Sequence, residues 1–180
     1  MTCIVGIEHA GGVLIGGDSA GLSGWSKTIR ADEKVFTVGP YVMGFTSSFR
    51  MGQLLRYRFN APTPDTWDVD RFMATTFMDA VRAALKDGGW AKTKEGQEEG
   101  GDFLVGINGR LYEIRSDYQF GRSTTAYQAV GCGYDIALGS LHTTAKLGLE
   151  PADRARHALE AAADLSGGCA APFTIIDHSG

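Results

Sequence analysis

Two hydrophobic periods alternate along the chain. Residues 3–9 (Cys-Ile-Val-Gly-Ile-Glu-His) and 13–18 (Val-Leu-Ile-Gly-Gly-Asp) are β-rich apolar runs. Ala10-Gly11-Gly12 joins them, a hairpin signal because glycine reaches positive φ without a Cβ clash. Lys34–Val38 and Tyr41–Thr46 form a second pair, turned by Gly39-Pro40. Ser47 or Ser48 then caps a helix carrying Met51, Leu54 and Leu55 on one face. Residues 60–68, with two prolines, read as a loop. From Asp68 to Lys86, apolar or small residues at 69, 72, 73, 77, 80, 81 and 84 follow the 3.6-residue period, and Gly88-Gly89 ends that helix. The polar stretch from Lys92 to Gly101 reads as an exposed excursion. Phe103–Ile107 and Leu111–Ile114 flank Asn108-Gly109, a strong signal for a third hairpin. Residues 133–147 and 151–165 are helical, the latter opened by Pro151, and Phe173–Asp177 closes as a strand.

The order is therefore strand pairs, two helices, a strand pair, two helices and a strand. It predicts an α+β fold: a four-layer αββα sandwich of two antiparallel sheets flanked by helices, in one domain over residues 1–180. Strands buried on both faces explain apolar runs that lack clean alternation. Val5-Gly6-Ile7 in the first hairpin is echoed by Val105-Gly106-Ile107 in the third.

Composition narrows the function. An apolar share of 43% and a charged share of 21% fit an ordinary globular domain. A net charge of −4 argues against nucleic-acid binding. No apolar run approaches the ~20 residues of a membrane span, and Met1-Thr2-Cys3-Ile4 has no basic leader region. Cys3, Cys132 and Cys169 are odd in number and far apart, which speaks against a disulfide framework or a structural zinc site. A cytoplasmic protein with neither metal nor cofactor is expected. The 25 glycines are about twice ordinary usage, yet only 5 prolines accompany them, so disorder is not their cause.

Thr2, Asp18 and Lys34 carry candidate chemistry. A hydroxyl beside the chain start, an acid ending the second strand and a lysine opening the third meet at one sheet end. Removal of Met1 makes Thr2 the first residue, pairing a nucleophilic hydroxyl with a free α-amine. An α-amine has an unperturbed pKa near 7.7–8.0, so it serves as a base at about neutral pH. A neighbouring ammonium such as Lys34 lowers that pKa and favours the ionised hydroxyl, while Asp18 holds the lysine in place. Taken singly, Thr2 is a strand residue, Asp18 a turn residue and Lys34 a solvated strand end; Cys132, between Gly131 and Gly133, reads as a small packing residue.

The spacing resembles that of β-type proteasome subunits and the related HslV peptidase, in the N-terminal-nucleophile (Ntn) hydrolase superfamily. The residues that carry the resemblance are Thr2, the run Gly-Gly-Val-Leu-Ile-Gly-Gly-Asp-Ser-Ala through Asp18, then Gly24, Lys34-Val-Phe and Gly44. Ala129-Val-Gly-Cys-Gly-Tyr resembles the family's turn that opens a helix, and Ser166-Gly167-Gly168 its S-G-G. The resemblance implies the Ntn hydrolase fold and a threonine-type endopeptidase working through an acyl-enzyme. It implies homo-oligomeric rings of six or seven subunits enclosing a chamber, unfolded protein or peptide as substrate, and an AAA+ ATPase as a partner that feeds it.

Carried over by position, Thr2 is nucleophile and base, Asp18 and Lys34 are the activating pair, and the Ser48 N–H is the oxyanion donor. Cys132 and Ser166 complete the site. Cys132 replaces a serine of the family, and Asp164 lies two rather than three residues before Ser166, a turn of about 100° on a helix. Asp32, Phe36, Thr46 and Arg50 match positions lining the specificity pocket; Asp32 points to a basic side chain at the scissile residue unless Arg50 neutralises it. A small-molecule Ntn amidase and a catalytically silent ring or scaffold subunit share the same fold and are the alternatives.

Overall fold

The computed structural model describes residues 1–64 and 67–179, so the loop expected over 60–68 lies partly outside the described residues. The chain opens with β1 (Cys3–His9), β2 (Gly12–Gly17), β3 (Ala20–Ser23), β4 (Ser26–Ile29), β5 (Val35–Val38) and β6 (Tyr41–Phe45). Helix α1 (Phe49–Tyr57) follows, capped by Ser48, whose Oγ accepts from the Arg50 N–H at 3.1 Å. Next comes one long helix: α2 (Val69–Phe72), a π-helical turn (Met73–Phe77) and α3 (Met78–Asp87). Its cap is Asp68, which accepts from the Arg71 N–H. Then come β7 (Lys92–Lys94), β8 (Gln97–Glu99), β9 (Phe103–Ile107), β10 (Arg110–Ile114), β11 (Phe120–Gly121) and β12 (Tyr127–Gly131). Helices α4 (Tyr134–Lys146) and α5 (Pro151–Leu165) precede β13 (Thr174–Ser179).

Two antiparallel sheets form the centre, ordered β12-β1-β2-β13 and β11-β10-β9-β6-β5. Alternation along each strand sorts side chains into three apolar layers. In β1, Cys3, Val5 and Ile7 face α4 and α5, packing with Ala155, Ala158, Leu159 and Ala162. Ile4 faces the other sheet, with Val13, Ile15, Val35, Val42, Leu104 and Leu111. On the far side, Met43, Phe45, Phe103, Val105 and Tyr112 pack under α1 and the long helix. The four-layer αββα expectation is met. Because every central strand is buried on both faces, its two faces are equally apolar, which is why the runs did not alternate.

The polar stretch at 92–101 differs from expectation. It folds into the hairpin β7–β8, turned at Glu95 and Gly96, whose φ angles of 50° and 86° suit a tight two-residue loop. The pairs β3–β4 and β10–β11 and the strand β12 also went unpredicted, being short, polar or only half apolar.

The echoed pair Gly6 and Gly106 shares a role with two other strand glycines. Gly6, Gly17, Gly44 and Gly106 all face the gap between the sheets. A Cβ would stand 2.6 Å from Leu111 at Gly6, 2.8 Å from Ile4 at Gly17, 2.5 Å from Ile4 at Gly44 and 2.7 Å from Val13 at Gly106. They let the sheets close on branched side chains from the opposite strands. Gly44→Ala therefore overpacks this seam and is expected to destabilise by about 1–3 kcal/mol. Gly139→Ala, on an exposed face of α4 with no atom within 4 Å of the new Cβ, should stabilise slightly. Urea titration of both variants checks the contrast.

Candidate active site

The antiparallel register brings six sequence positions to one end of the two sheets. Thr2 enters β1, and Asp18 leaves β2, whose Gly17 pairs with Ile4. Lys34 enters β5, where Val35 pairs with Gly44 of β6, and Ser47 and Ser48 follow β6. Cys132 leaves β12, whose Gly131 pairs with Cys3. Gly131 has φ +99°, and any Cβ there would strike the Thr2 carbonyl oxygen, so only glycine lets this strand end close on Thr2.

Thr2, Asp18 and Lys34 meet. Lys34 Nζ donates to Thr2 Oγ1 at 2.9 Å and to Asp18 Oδ1 at 2.7 Å. The lysine and the carboxylate are 1% and 2% exposed, the threonine 5%. Asp18 is fully satisfied: Oδ1 also accepts from the Cys3 N–H, and Oδ2 accepts from the N–H groups of Ala20 and Ala170. Its orientation is thus set by backbone from three segments, and it fixes Lys34 in turn. The Phe49 ring, 5.7 Å from Nζ, closes the remaining side. A charge buried this deeply is tolerated only when paired; water does not screen Lys34 Nζ from Thr2 Oγ1, although the Asp18 carboxylate offsets part of its field. Thr2 Oγ1 donates in turn to the Met1 carbonyl at 2.5 Å.

Cys132 is exposed, which corrects its reading as a packing residue. Its sulfur accepts from the Thr2 N–H at 3.3 Å and lies 3.8 Å from Ser166 Oγ. Ser166 also accepts from the Gly168 N–H. Cysteines far apart in sequence gather here. The neighbouring Cys169 thiol, with burial, pushes the Cys3 thiol up, and Cys3 in turn draws Cys169 down to about 7 against its own burial. Asp164 lies exposed on α5.

Four positions differ from expectation. The Ser48 N–H is taken: it donates to the Thr46 carbonyl at 2.6 Å across Ser47, whose φ is +59°. This tight turn leaves the Ser47 N–H without an acceptor among the described residues, so Ser47 offers the free donor that Ser48 was expected to supply. Asp32 is held by a bidentate pair with Arg30 at 2.6 Å, which lowers its pKa, and Arg50 instead donates to the Gly88 carbonyl. Phe36 is buried in the core under α1. Of the four expected pocket residues, Thr46 alone lines the cleft beside Thr2.

That cleft, of about 300 Å³, is walled by Phe45, Thr46, Ser47, Ser48 and Phe49 on one side and Leu22 on the other. A second cleft of about 740 Å³ opens on the far side of Met1, between the β3–β4 hairpin and the Ser166–Gly168 turn. Leu22 and the hairpin had no signal in the sequence, because four-residue strands carry too short a pattern.

No protein-family model and no curated protein sequence matches the chain. Solved structures do match in fold. BPH from Thiobacillus denitrificans, in complex with epoxomicin, aligns over 99% of this chain and 100% of its own at 20% identity and a TM-score of 0.81. HslV from Trypanosoma brucei aligns over 97% of both chains at 15% identity and a TM-score of 0.70. The Anbu (Gly-1) mutant from Hyphomicrobium sp. strain MC1 covers 99% of this chain and 82% of its own, at 16% identity and a TM-score of 0.71. The chain therefore has the HslV-like Ntn hydrolase fold that the motif spacing indicated.

Two outcomes follow from the site's geometry. Lys34→Met strands the Asp18 charge in a dry site and should destabilise by about 3–5 kcal/mol, with partial recovery in Lys34→Met/Asp18→Asn; thermal or urea unfolding reads both. An alkylating reagent at pH 8 should modify Cys132 before Cys169, since access outweighs the readier ionisation of a thiol 1% exposed; peptide mass mapping gives the order.

Proposed function

We propose that this chain is the subunit of a threonine-type endopeptidase that works as a ring, with Thr2 as its nucleophile once Met1 is removed. The observation that carries the reading is the buried relay from Asp18 through Lys34 Nζ to Thr2 Oγ1, at 2.7 and 2.9 Å. A buried ion pair contributes little net stability against an apolar replacement. One placed against a hydroxyl at the chain start has a chemical use instead.

Loss of Met1 turns the Thr2 amide nitrogen into an amine. Oγ1 attacks the scissile carbonyl carbon while the amine takes the hydroxyl proton. Lys34 stabilises the developing alkoxide electrostatically without giving up its own proton. The Ser47 N–H receives the oxyanion; such a donor is typically worth about 2.7–4 kcal/mol. As the C–N bond breaks, the Thr2 ammonium returns the proton to the departing amine, leaving an ester on Oγ1. Water, deprotonated by the same amine, then releases the acid. Cys132 Sγ stands beside that nitrogen and orients it, with Ser166 Oγ against the sulfur. No step needs a metal.

One cleft lined by Thr2 and a second lined by its neighbours Met1 and Cys132 favour a substrate that extends past the scissile bond in both directions, an endopeptidase rather than a small-molecule amidase. Folded substrates would reach an enclosed chamber only through an AAA+ unfoldase, which belongs to the same proposal.

Purified protein lacking Met1 by intact mass should hydrolyse a peptide-coumarin amide and be labelled on Thr2 by a peptide carrying an electrophilic ketone. Thr2→Ala should lose activity by on the order of 10³-fold or more, while Thr2→Ser keeps a measurable part. Undiminished hydrolysis by Thr2→Ala sinks the reading. Sedimentation of the same sample tests the ring.

A further inference from the structure

The second cleft has a direction. During acyl transfer the group that protonates the departing amine must lie within hydrogen-bond reach of it, and in the proposed reaction that group is the Thr2 nitrogen. This nitrogen faces Cys132 Sγ at 3.3 Å, and Cys132 and Ser166 both line the second cleft. The free Ser47 N–H lies in the first. A carbonyl carbon joined to Thr2 Oγ1, with its oxygen toward Ser47 and its nitrogen toward Cys132, places its acyl half in the first cleft and its amine half in the second. Met1 lines both clefts, so it stands on the divide, and its departure joins them into one groove past Thr2.

The chemistry of the second cleft is lopsided. Leu22 and Trp25 of the β3–β4 hairpin form one wall, and Gly167 and Gly168, which bring backbone close without side-chain bulk, form the other. Lys27 is the one charged side chain among the described residues lining it. Trp25 is fully exposed beside Gly24, whose φ of +57° makes the hairpin turn. An indole left in water at the mouth of a concave apolar site is an anchor awaiting an apolar partner.

We infer that the second cleft is the leaving-group subsite and that Trp25 selects a large apolar side chain on the residue directly after the scissile bond. The inference rests on the hydrolase reading above. A basic side chain there meets Lys27 and has no carboxylate to pair with among the lining residues.

The test uses internally quenched peptides identical except for Phe or Lys after the scissile bond, assayed beside the peptide-coumarin amide. The Phe peptide should show a kcat/KM at least tenfold above the Lys peptide. Trp25→Ala should shrink that ratio below about twofold, and Trp25→Phe should restore most of it, which separates a lost aromatic contact from a damaged hairpin. Equal rates in the parent, or an unchanged ratio in Trp25→Ala, overturn the inference. So does a change in sedimentation with no change in selectivity, because Trp25 then meets a second copy of the chain. If the coumarin amide and both peptides resist hydrolysis, the hydrolase reading fails by itself. The cleft is then judged by binding to the Thr2→Ala protein: the Phe peptide should bind at least tenfold tighter than the Lys peptide, and equal binding overturns the subsite.

Discussion

The buried pair between Lys34 and Asp18 is the constraint around which the molecule is organised. Two opposite charges are held away from water at the end of a double sheet, and every remaining acceptor position on Asp18 is filled by backbone N–H groups. Those N–H groups come from Cys3 in β1, from Ala20 at the start of β3, and from Ala170 after Cys169. Satisfying one carboxylate therefore shapes its own turn and fixes where two distant stretches of backbone can lie. Thr2 is positioned as a by-product: it precedes Cys3, whose N–H is already committed to Asp18.

The seam between the sheets makes that end possible. Ile4 sits beside the site and must clear Gly17 of its neighbouring strand and Gly44 of the opposite sheet. Larger residues at those positions would push the sheets apart and separate Lys34, on one sheet, from Asp18, on the other. Packing in the middle of the protein is thus coupled to a 2.7 Å contact at its edge. The glycine-rich composition is a record of this closeness rather than of flexibility.

Much of this was legible from residues alone. The apolar runs at β1, β2, β5, β6, β9 and β10, with their glycine turns, gave the double sheet, and the 3.6-residue period located the long helix. Thr2, Asp18 and Lys34 were legible because each flanks a strand whose pairing forces the same end. What stayed hidden has separate physical causes. The β3–β4 and β7–β8 hairpins are three- or four-residue strands with exposed polar faces, too short for a period to show. Ser47 was passed over because its left-handed backbone, which redirects the neighbouring N–H groups, is a property of one φ angle that residue type does not announce. Asp32 misled because a carboxylate reads as a charge until its bidentate partner, Arg30, is seen two residues away.

The reach of Asp18 to the Ala170 N–H has a consequence for the order of synthesis. A ribosome delivers Thr2, Asp18 and Lys34 well before the segment around residue 170 and β13, which flanks β2. Until that segment emerges, the carboxylate lacks one donor and the first sheet lacks its edge strand. A nascent chain thus carries Thr2 through a long stretch of elongation before the backbone that completes its setting around Asp18 exists.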